Sequence, residues 1–378
     1  MTTVTIVVVS YNSRLHLPAC LSSVSAQEAM EVEVIVVDNA STDGSAALVT
    51  SLFPSGRLVV NRENRGFAAA VNQGIALASG EFVLLLNPDA VLLPGTLRRL
   101  VEFLEMYPGT AAVGPRQWVD AGLTWQWSVV PCPPDLALLL AGLPWIRRLG
   151  LERHRLSAHW ALNRAIWRDE QPQSARYLSG ACLLLRRAAL EEVGGLDEAY
   201  FLFLEDVDLC ERLRAVGWLL YALPMAAVVH AGLGSVRLVP DGGQGRLLSS
   251  ASHYLNRHGD PVARALWALM RAWRSRGGPT SQAAGQAVPA GRHTLTLHWA
   301  PIPGAAAYWV ELAADPTFLH AAAGQVAQPA CSLPRGLLAL PQADYFFWRM
   351  AGVDAHGQLG RFTAARCERG FHAGNVVA

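Results

Sequence analysis

The chain has 378 residues, of which 52% are hydrophobic and 16% charged, with a formal net charge of +1. That length exceeds what one hydrophobic core usually organises and predicts two domains, while the near-neutral balance leaves no global field for nucleic acid or another polyanion. Lysine is absent, which excludes a Walker A lysine, a Schiff base and a lysine general base.

Six cysteines (Cys20, Cys132, Cys182, Cys210, Cys331 and Cys367) lie scattered with no CxxC pair. The pattern fits buried thiols in a reducing compartment and carries no zinc signature. The opening MTTVTIVVVSYNS lacks the basic region and small-residue cleavage site of a secretory signal. The apolar stretch LALLLAGLPWI (136–146) falls short of the roughly 18 residues that a membrane span needs. A cytoplasmic protein is expected.

The first 115 residues alternate short β-branched runs with helical patterns, and 4–9, 32–37, 58–60, 82–86 and 111–113 read as buried strands. Alternation of this kind predicts an α/β fold with a mostly parallel sheet, whose ligands sit beyond the carboxyl ends of the strands. Three of those ends lead into polar loops: Ser10-Tyr11-Asn12, then Asp38 and Asn39 opening a run to Ser45, then Asn87-Pro88-Asp89. Loops with carboxylates on one rim suit a nucleotide carrying sugar and metal. Each alone has a simpler reading, since Asp43 or Ser45 can cap a helix and Asn-Pro-Asp is an ordinary turn initiator. Asn64-Arg65-Gly66-Phe67, with Asn72, introduces a helix whose small residues 68–70 permit close approach, but its glycine belongs to no GxGxxG fingerprint.

Residues 118–175 hold several tryptophans and a PCPP cluster with no clean period, and read as an insertion or acceptor region. A strand is predicted over 177–185 and a short helix over 187–193. The segment FLFLEDVDLCERLRAVGW (201–218) is amphipathic from Glu205 onward, which places Glu205, Asp206 and Asp208 at a helix N-terminus. They are either a solvated helix start or the source of a general base. His230 ends the strand-like AAVVH and precedes Gly232 and Gly234, as an edge residue or as a ligand for metal or phosphate. In VARALWALMRAWRSRG (262–277), Leu266, Leu269, Met270 and Trp273 can share a face near Arg264, Arg271 and Arg274, as in a helix lying on an anionic membrane or one packed on its own domain. Small, turn-rich residues from about 277 read as a linker, and the period-two runs beyond it as an antiparallel β-sandwich. The expected division is 1–276, linker 277–290 and module 291–378.

Read together, VVVSYN (7–12), VVDNASTDGS (36–45), NRGFAAAVNQGI (64–75), LLLNPDA (84–90), SGACLLLRR (179–187), GGLDEAYFLFLEDVDLCERLRAVGW (194–218) and VVHAGLGS (228–235) resemble family 2 glycosyltransferases of the GT-A fold. The resemblance runs in family order over about 1–260 and is nearest the rhamnosyltransferase-like branch of bacterial polysaccharide assembly. It implies inverting transfer of a sugar, L-rhamnose first, from a dTDP- or UDP-sugar to a glycan or lipid-linked acceptor, with Mg²⁺ or Mn²⁺. It implies that Asp38 recognises the base and that Ser10, Tyr11 and Asn12 line the nucleotide site, for which Asn39, Asn64, Gly66, Asn72 and Asn87 are further candidates. Asp89 would be a metal ligand, Asp206 beside Glu205 the base, and His230 the completion of the metal or diphosphate site. Asn87 stands where the family's acidic motif often begins with Asp. The C-terminal stretch resembles a fibronectin type III module. A sugar nucleotidyltransferase is disfavoured by the absent lysine, and a non-catalytic glycan binder by the four residues Asp38, Asp89, Asp206 and His230 together.

Overall fold

A computed structural model describes residues 3–27, 31–54, 56–131, 153–232, 244–275, 296–313, 321–333, 345–363 and 366–369. In chain order the first elements are β1 (Thr3–Ser10), α1 (Leu17–Ser25), β2 (Glu31–Asp38), α2 (Ser45–Leu52), β3 (Arg57–Val60), α3 (Phe67–Leu77), β4 (Phe82–Leu86), β5 (Ala90–Leu92), α4 (Thr96–Met106) and β6 (Thr110–Trp118). Then come β7 (Trp125–Trp127), α5 (Arg153–Arg168), β8 (Gln173–Ser174), β9 (Cys182–Arg186), α6 (Arg187–Val193), α7 (Glu205–Ala215), β10 (Leu219–His230), α8 (Gln244–His258) and α9 (Pro261–Ser275). The last strands are β11 (Thr296–His298), β12 (Ala307–Ala313), β13 (Ala321–Val326), β14 (Ala330–Ser332), β15 (Tyr345–Val353) and β16 (Arg366–Arg369).

The strands predicted in the first 115 residues all form. β1 pairs in parallel with β2 and β4, and β2 with β3. Because successive side chains point to opposite faces, Val4, Ile6 and Val8 pack against α1 and α4 while Val7 and Val9 pack on the other face with α3 and α7. Coverage on both faces explains why these strands read as continuous apolar runs instead of alternating ones. The register sets Ser10 opposite Asp38 and Val8 opposite Leu86, so three strand ends stop at one rim.

Two expectations shift. The strand predicted over 177–185 begins only at Cys182, antiparallel to β4, because residues 178–181 bend across the start of α7. The C-terminal strands do form an antiparallel sheet, with a two-stranded β11–β14 layer packed on it through Leu297 and Cys331. They are not a detached module, however. β13 pairs antiparallel with β7, so that the path β16-β15-β12-β13-β7-β6-β9-β4-β1-β2-β3 is one sheet. β7 leaves an unpaired edge after β6, and an open edge is satisfied by another strand. Buried Glu311 of β12 reinforces the join by binding Arg164 of α5 at 2.7 Å and Arg349 of β15 at 2.6 Å. The expected linker, 277–290, lies outside the described residues, as do residues 132–152 of the tryptophan-rich insertion and Gly234.

Candidate functional site

At the rim of β1 and β2, Asp38 is 1% exposed, and its Oδ1 accepts the Ser41 amide at 3.0 Å. Its Oδ2 and the neighbouring Ser10 Oγ are buried and have no hydrogen-bond partner among the described residues. A buried polar atom left in that state costs about 1–3 kcal/mol, so two side by side at a strand end mark a place for a polar ligand. Asn12 holds a left-handed backbone at φ 50° and ties the two loops together. Its amide donates to Ser41 Oγ at 2.8 Å and its Oδ1 accepts the Thr42 amide at 2.8 Å. Tyr11, half-buried beside it, accepts Ser13 Oγ on its carbonyl.

The other residues expected at the nucleotide site have structural partners. Asn39 is buried, donates to Asn64 Oδ1 at 2.9 Å and to the Gly66 carbonyl at 3.1 Å, and accepts from Asn61 and the Arg65 amide. It holds the Asn64–Gly66 turn against the end of β2. Gly66 sits at φ 86°, where a Cβ would lie 2.8 Å from the Phe201 carbonyl. Asn72 grips Leu196 through both its donor and its acceptor, at 2.8 and 2.9 Å. These side chains shape the loops that surround the site.

At the end of β4 the chain turns through Asn87-Pro88-Asp89 toward the end of β10. His230 Nε2 lies 3.4 Å from Asp89 Oδ1 and 3.4 Å from Asn87 Nδ2, and its Nδ1 lies 3.2 Å from Gln117 Oε1. With Gln117 oxygen accepting, Nδ1 carries the proton and Nε2 keeps its lone pair, an assignment made from the hydrogen-bond network. Nε2 and the Asp89 carboxylate then face one another as two acceptors, a pair that a shared cation would stabilise. Among the described residues no group of three or more His, Cys, Asp and Glu is assembled. The donor set therefore fits a divalent ion that takes its remaining ligands from phosphate or water. Beneath the turn, burial pushes the Cys20 thiol well above its ordinary range and leaves it a structural acceptor-facing group, its Sγ 3.6 Å from the Asn87 carbonyl.

Asp206 approaches from α7. Its Oδ2 accepts the Gly180 amide at 2.8 Å and its Oδ1 the Val207 amide at 2.8 Å. The next residue after Gly180 binds the Asn87–Asp89 turn, since the Asn87 amide donates to the Ala181 carbonyl at 2.8 Å. One dipeptide, Gly180-Ala181, thus anchors the turn that carries Asp89 and the carboxylate of Asp206. The backbone entering α7 is strained: Phe203 and Leu204 both hold positive φ, 73° and 66°. For bulky L-residues that conformation costs about 1–3 kcal/mol each, a burden that clusters at functional sites. Glu205, 7% exposed, is buried instead of open to the rim. Desolvation, then the charge of Asp206, pushes its carboxyl up to about 8, and its Oε2 has no partner among the described residues.

Asp208 turns the other way. It is completely buried and binds Arg212 Nε at 2.7 Å and His258 Nε2 at 2.7 Å. Asp197 accepts His253 at 2.9 Å and also pairs with Arg257. These pairs fasten α8 to α7 and to the segment that precedes it. In α9, Leu266 and Met270 pack against α8 while Leu269 is 68% exposed, so the expected apolar face divides; Val262, outside that face, is 62% exposed. The Trp273 side chain lies outside the described residues. Gln117, Gly180 and Trp127 were not singled out by sequence reasoning. Only Gly180, inside the SGAC motif, carried a signal that could have found it. A surface hollow at Glu81, Arg186 and Arg187 lies at the opposite ends of β1 and β9 and takes no part in this site.

The model of glycosyl transferase family 2 matches residues 5–194, just over half of the chain. An N-acetylglucosaminyl-diphospho-decaprenol L-rhamnosyltransferase of Mycobacterium tuberculosis is 34% identical over 242 residues, which cover 60% of this chain and 75% of the relative. The succinoglycan biosynthesis protein ExoO of Rhizobium meliloti is 41% identical over 100 residues, covering 26% of this chain and 29% of its own. Among solved structures, a mannosyltransferase of Pyrobaculum calidifontis in complex with GDP-Man and Mn²⁺ is similar over 73% of this chain and 76% of its own, at 20% identity and a TM-score of 0.41. S. aureus TarS, residues 1–349, is similar over 72% of both chains, at 19% identity and a TM-score of 0.44. With the strand-end loops and both carboxylate turns in place, the chain belongs to glycosyl transferase family 2, and is a glycosyltransferase of α/β architecture.

Proposed function

We propose that the chain is an inverting glycosyltransferase that moves a sugar from a nucleotide diphosphate donor to a hydroxyl of a glycan or lipid-linked glycan in bacterial cell-surface polysaccharide synthesis. The observation that carries this reading is the shared Gly180-Ala181 anchor, which brings the Asp89 turn and Asp206 to one place. Ser10 Oγ and Asp38 Oδ2, buried and unpaired, would receive the nucleoside. Asp89 and His230 would hold Mg²⁺ or Mn²⁺, which supplies charge neutralisation at the departing diphosphate. Asp206 takes the proton from the acceptor hydroxyl as that oxygen bonds to the anomeric carbon and the sugar–phosphate bond breaks, releasing the nucleoside diphosphate with inversion. Glu205, held as a neutral acid, keeps a second negative charge away from the incoming diphosphate.

The leading donor is dTDP-L-rhamnose, its sugar supported by the mycobacterial relative, an L-rhamnosyltransferase. The test is a panel of dTDP-, UDP- and GDP-sugars with Mn²⁺, read by nucleoside diphosphate release and by the anomeric configuration of the product. Release from dTDP-rhamnose with an inverted anomer is expected. Retention of configuration would exclude the direct displacement, and release from no donor would favour a glycan-binding role.

A lipid-linked acceptor would place the enzyme at the inner face of the cell membrane. Among the described residues no helix is long and apolar enough to cross a membrane. Peripheral contact is supported by α9, which has no acidic residue and exposes Val262 and Leu269 along with Arg264 and Arg271. Flotation of the full chain with anionic liposomes should be lost on Leu269→Glu, and equal recovery of both proteins with the liposomes would remove this contact.

A further inference from the structure

The C-terminal strands reach the site through one tryptophan. In β13, Ala322 lies opposite Trp127 of β7 and Gly324 opposite Trp125, and the Ser128 amide donates to the Ala321 carbonyl at 2.9 Å. Trp127 faces His230 from there: its indole Nε1 donates to the His230 carbonyl at 2.8 Å. Its ring also lies under Gly232, where a Cβ would fall 3.0 Å from Trp127 Cζ2. The other side of β7 is held by Trp167 of α5, whose Nε1 donates to the Trp127 carbonyl at 2.9 Å, while the Gln126 side-chain Nε2 donates back to the Trp167 carbonyl at 3.1 Å. α5 is in turn fastened to β12 through Arg164 and Glu311.

His230 and the residue after it are therefore fixed at three points, by two strands and by the turn that carries Asp89. The His230 ring is held by Gln117 of β6, its carbonyl by Trp127 of β7, and the following amide, of Ala231, by the Asp89 carbonyl at 3.1 Å. The geometry points to a role for the C-terminal strands as a positioning device: β13 seats β7, and Trp127 then holds His230 in the orientation in which Gln117 selects its Nδ1–H tautomer and leaves Nε2 aimed at Asp89. Trp127 and Gln117 are positioning residues, acting through His230. Partners of this kind set the tautomer and orientation of a liganding imidazole, and their loss weakens metal binding about 10-fold or more. The proposal rests on the reading of Asp89 and His230 as a cation site, but its first readout requires no metal.

The experiment uses the full chain with Trp127→Phe, which keeps an aromatic ring and removes the donor, and Gly324→Val. Gly324 is remote in sequence from the site, and a Cβ there would lie 2.8 Å from the Thr124 carbonyl and 3.0 Å from the Trp125 ring, which forces β13 away from β7. Long-range ¹H–¹⁵N spectra, with His230 assigned by comparison with His230→Ala, report the tautomer directly. Wild type should show the Nδ1–H form, and both variants a mixture of the two tautomers. Calorimetric titration with Mn²⁺ in the presence of UDP or dTDP should show about 10-fold weaker binding in both variants. Metal-free nucleotide binding should be unchanged. If Gly324→Val does not fold, Trp127→Phe decides alone. Folded variants that keep both the wild-type tautomer and the wild-type Mn²⁺ affinity would overturn the proposal. Absence of Mn²⁺ binding by wild type would instead refute the cation site, with the tautomer still deciding the role of Trp127.

Discussion

Asp206 and Asp208 stand two residues apart on the first turn of α7, yet one serves the rim and the other the scaffold. Asp206 is half-buried and is met by two backbone amides, which orient it. Asp208 is fully buried among Arg212, His258 and the more distant Arg257, and its charge is consumed in holding α8. A helix turn rotates neighbouring side chains to different faces, so the same residue type in one short motif acquires opposite duties. Residue type and motif position narrow the choice, and the partners decide it.

Breaking the scaffold side should give the largest loss of stability. Asp208→Asn leaves half-buried Arg212 and His258 without their buried counter-charge, and removing one member of such a group costs about 3–5 kcal/mol. Urea unfolding should show that loss, while the fraction that remains folded keeps its turnover. A variant as stable as wild type would show that the ion cluster contributes nothing net. Next in size is Asn39→Ala, which strips hydrogen bonds from Asn64, Asn61 and the Arg65 amide. A destabilisation of about 1–3 kcal/mol is expected, with donor KM raised as the 61–66 turn loosens; an unchanged melting temperature would contradict the clamp.

A finer probe is the pH dependence of Glu205. Burial, reinforced by Asp206, raises its carboxyl from the ordinary 4.5 to about 8 in the folded state. The folded protein then holds a proton that the unfolded chain has released. Stability from this group is complete below pH 4.5 and declines as pH rises toward 8. Glu205→Gln does not titrate, so its stability relative to wild type should climb across that interval and level off above it. Parallel stability curves for the two proteins would place Glu205 in an ordinary, solvated setting.

Much of the parallel half could be read from the chain because strands covered on both faces leave a local signal, the short β-branched run. β12 is another clear case: AYWVELA, one of the period-two runs beyond the expected linker, forms a strand over Ala307–Ala313. The start of β9 was missed because residues 178–181 look apolar enough for a strand, and only the Gly180–Asp206 hydrogen bond explains the bend. The β7–β13 pairing had no local signature, since Trp125–Trp127 is three residues long and its partner lies about two hundred positions later. For Asn39, Asn64 and Asn72, asparagine suits a ligand and a loop clamp equally well, and only their partners show the clamps. The alternation of helix α9 located the helix but not its buried side, which depends on where α8 lies.

The account depends most on Asp206 as the proton acceptor beside the Asp89 turn. The direct measurement is turnover of Asp206→Asn with saturating donor, acceptor and Mn²⁺, alongside donor affinity and melting temperature. Loss of a positioned general base should lower kcat about 100-fold or more, with donor binding and stability close to wild type. Full turnover in this variant, folded and donor-bound, would contradict the assignment of Asp206.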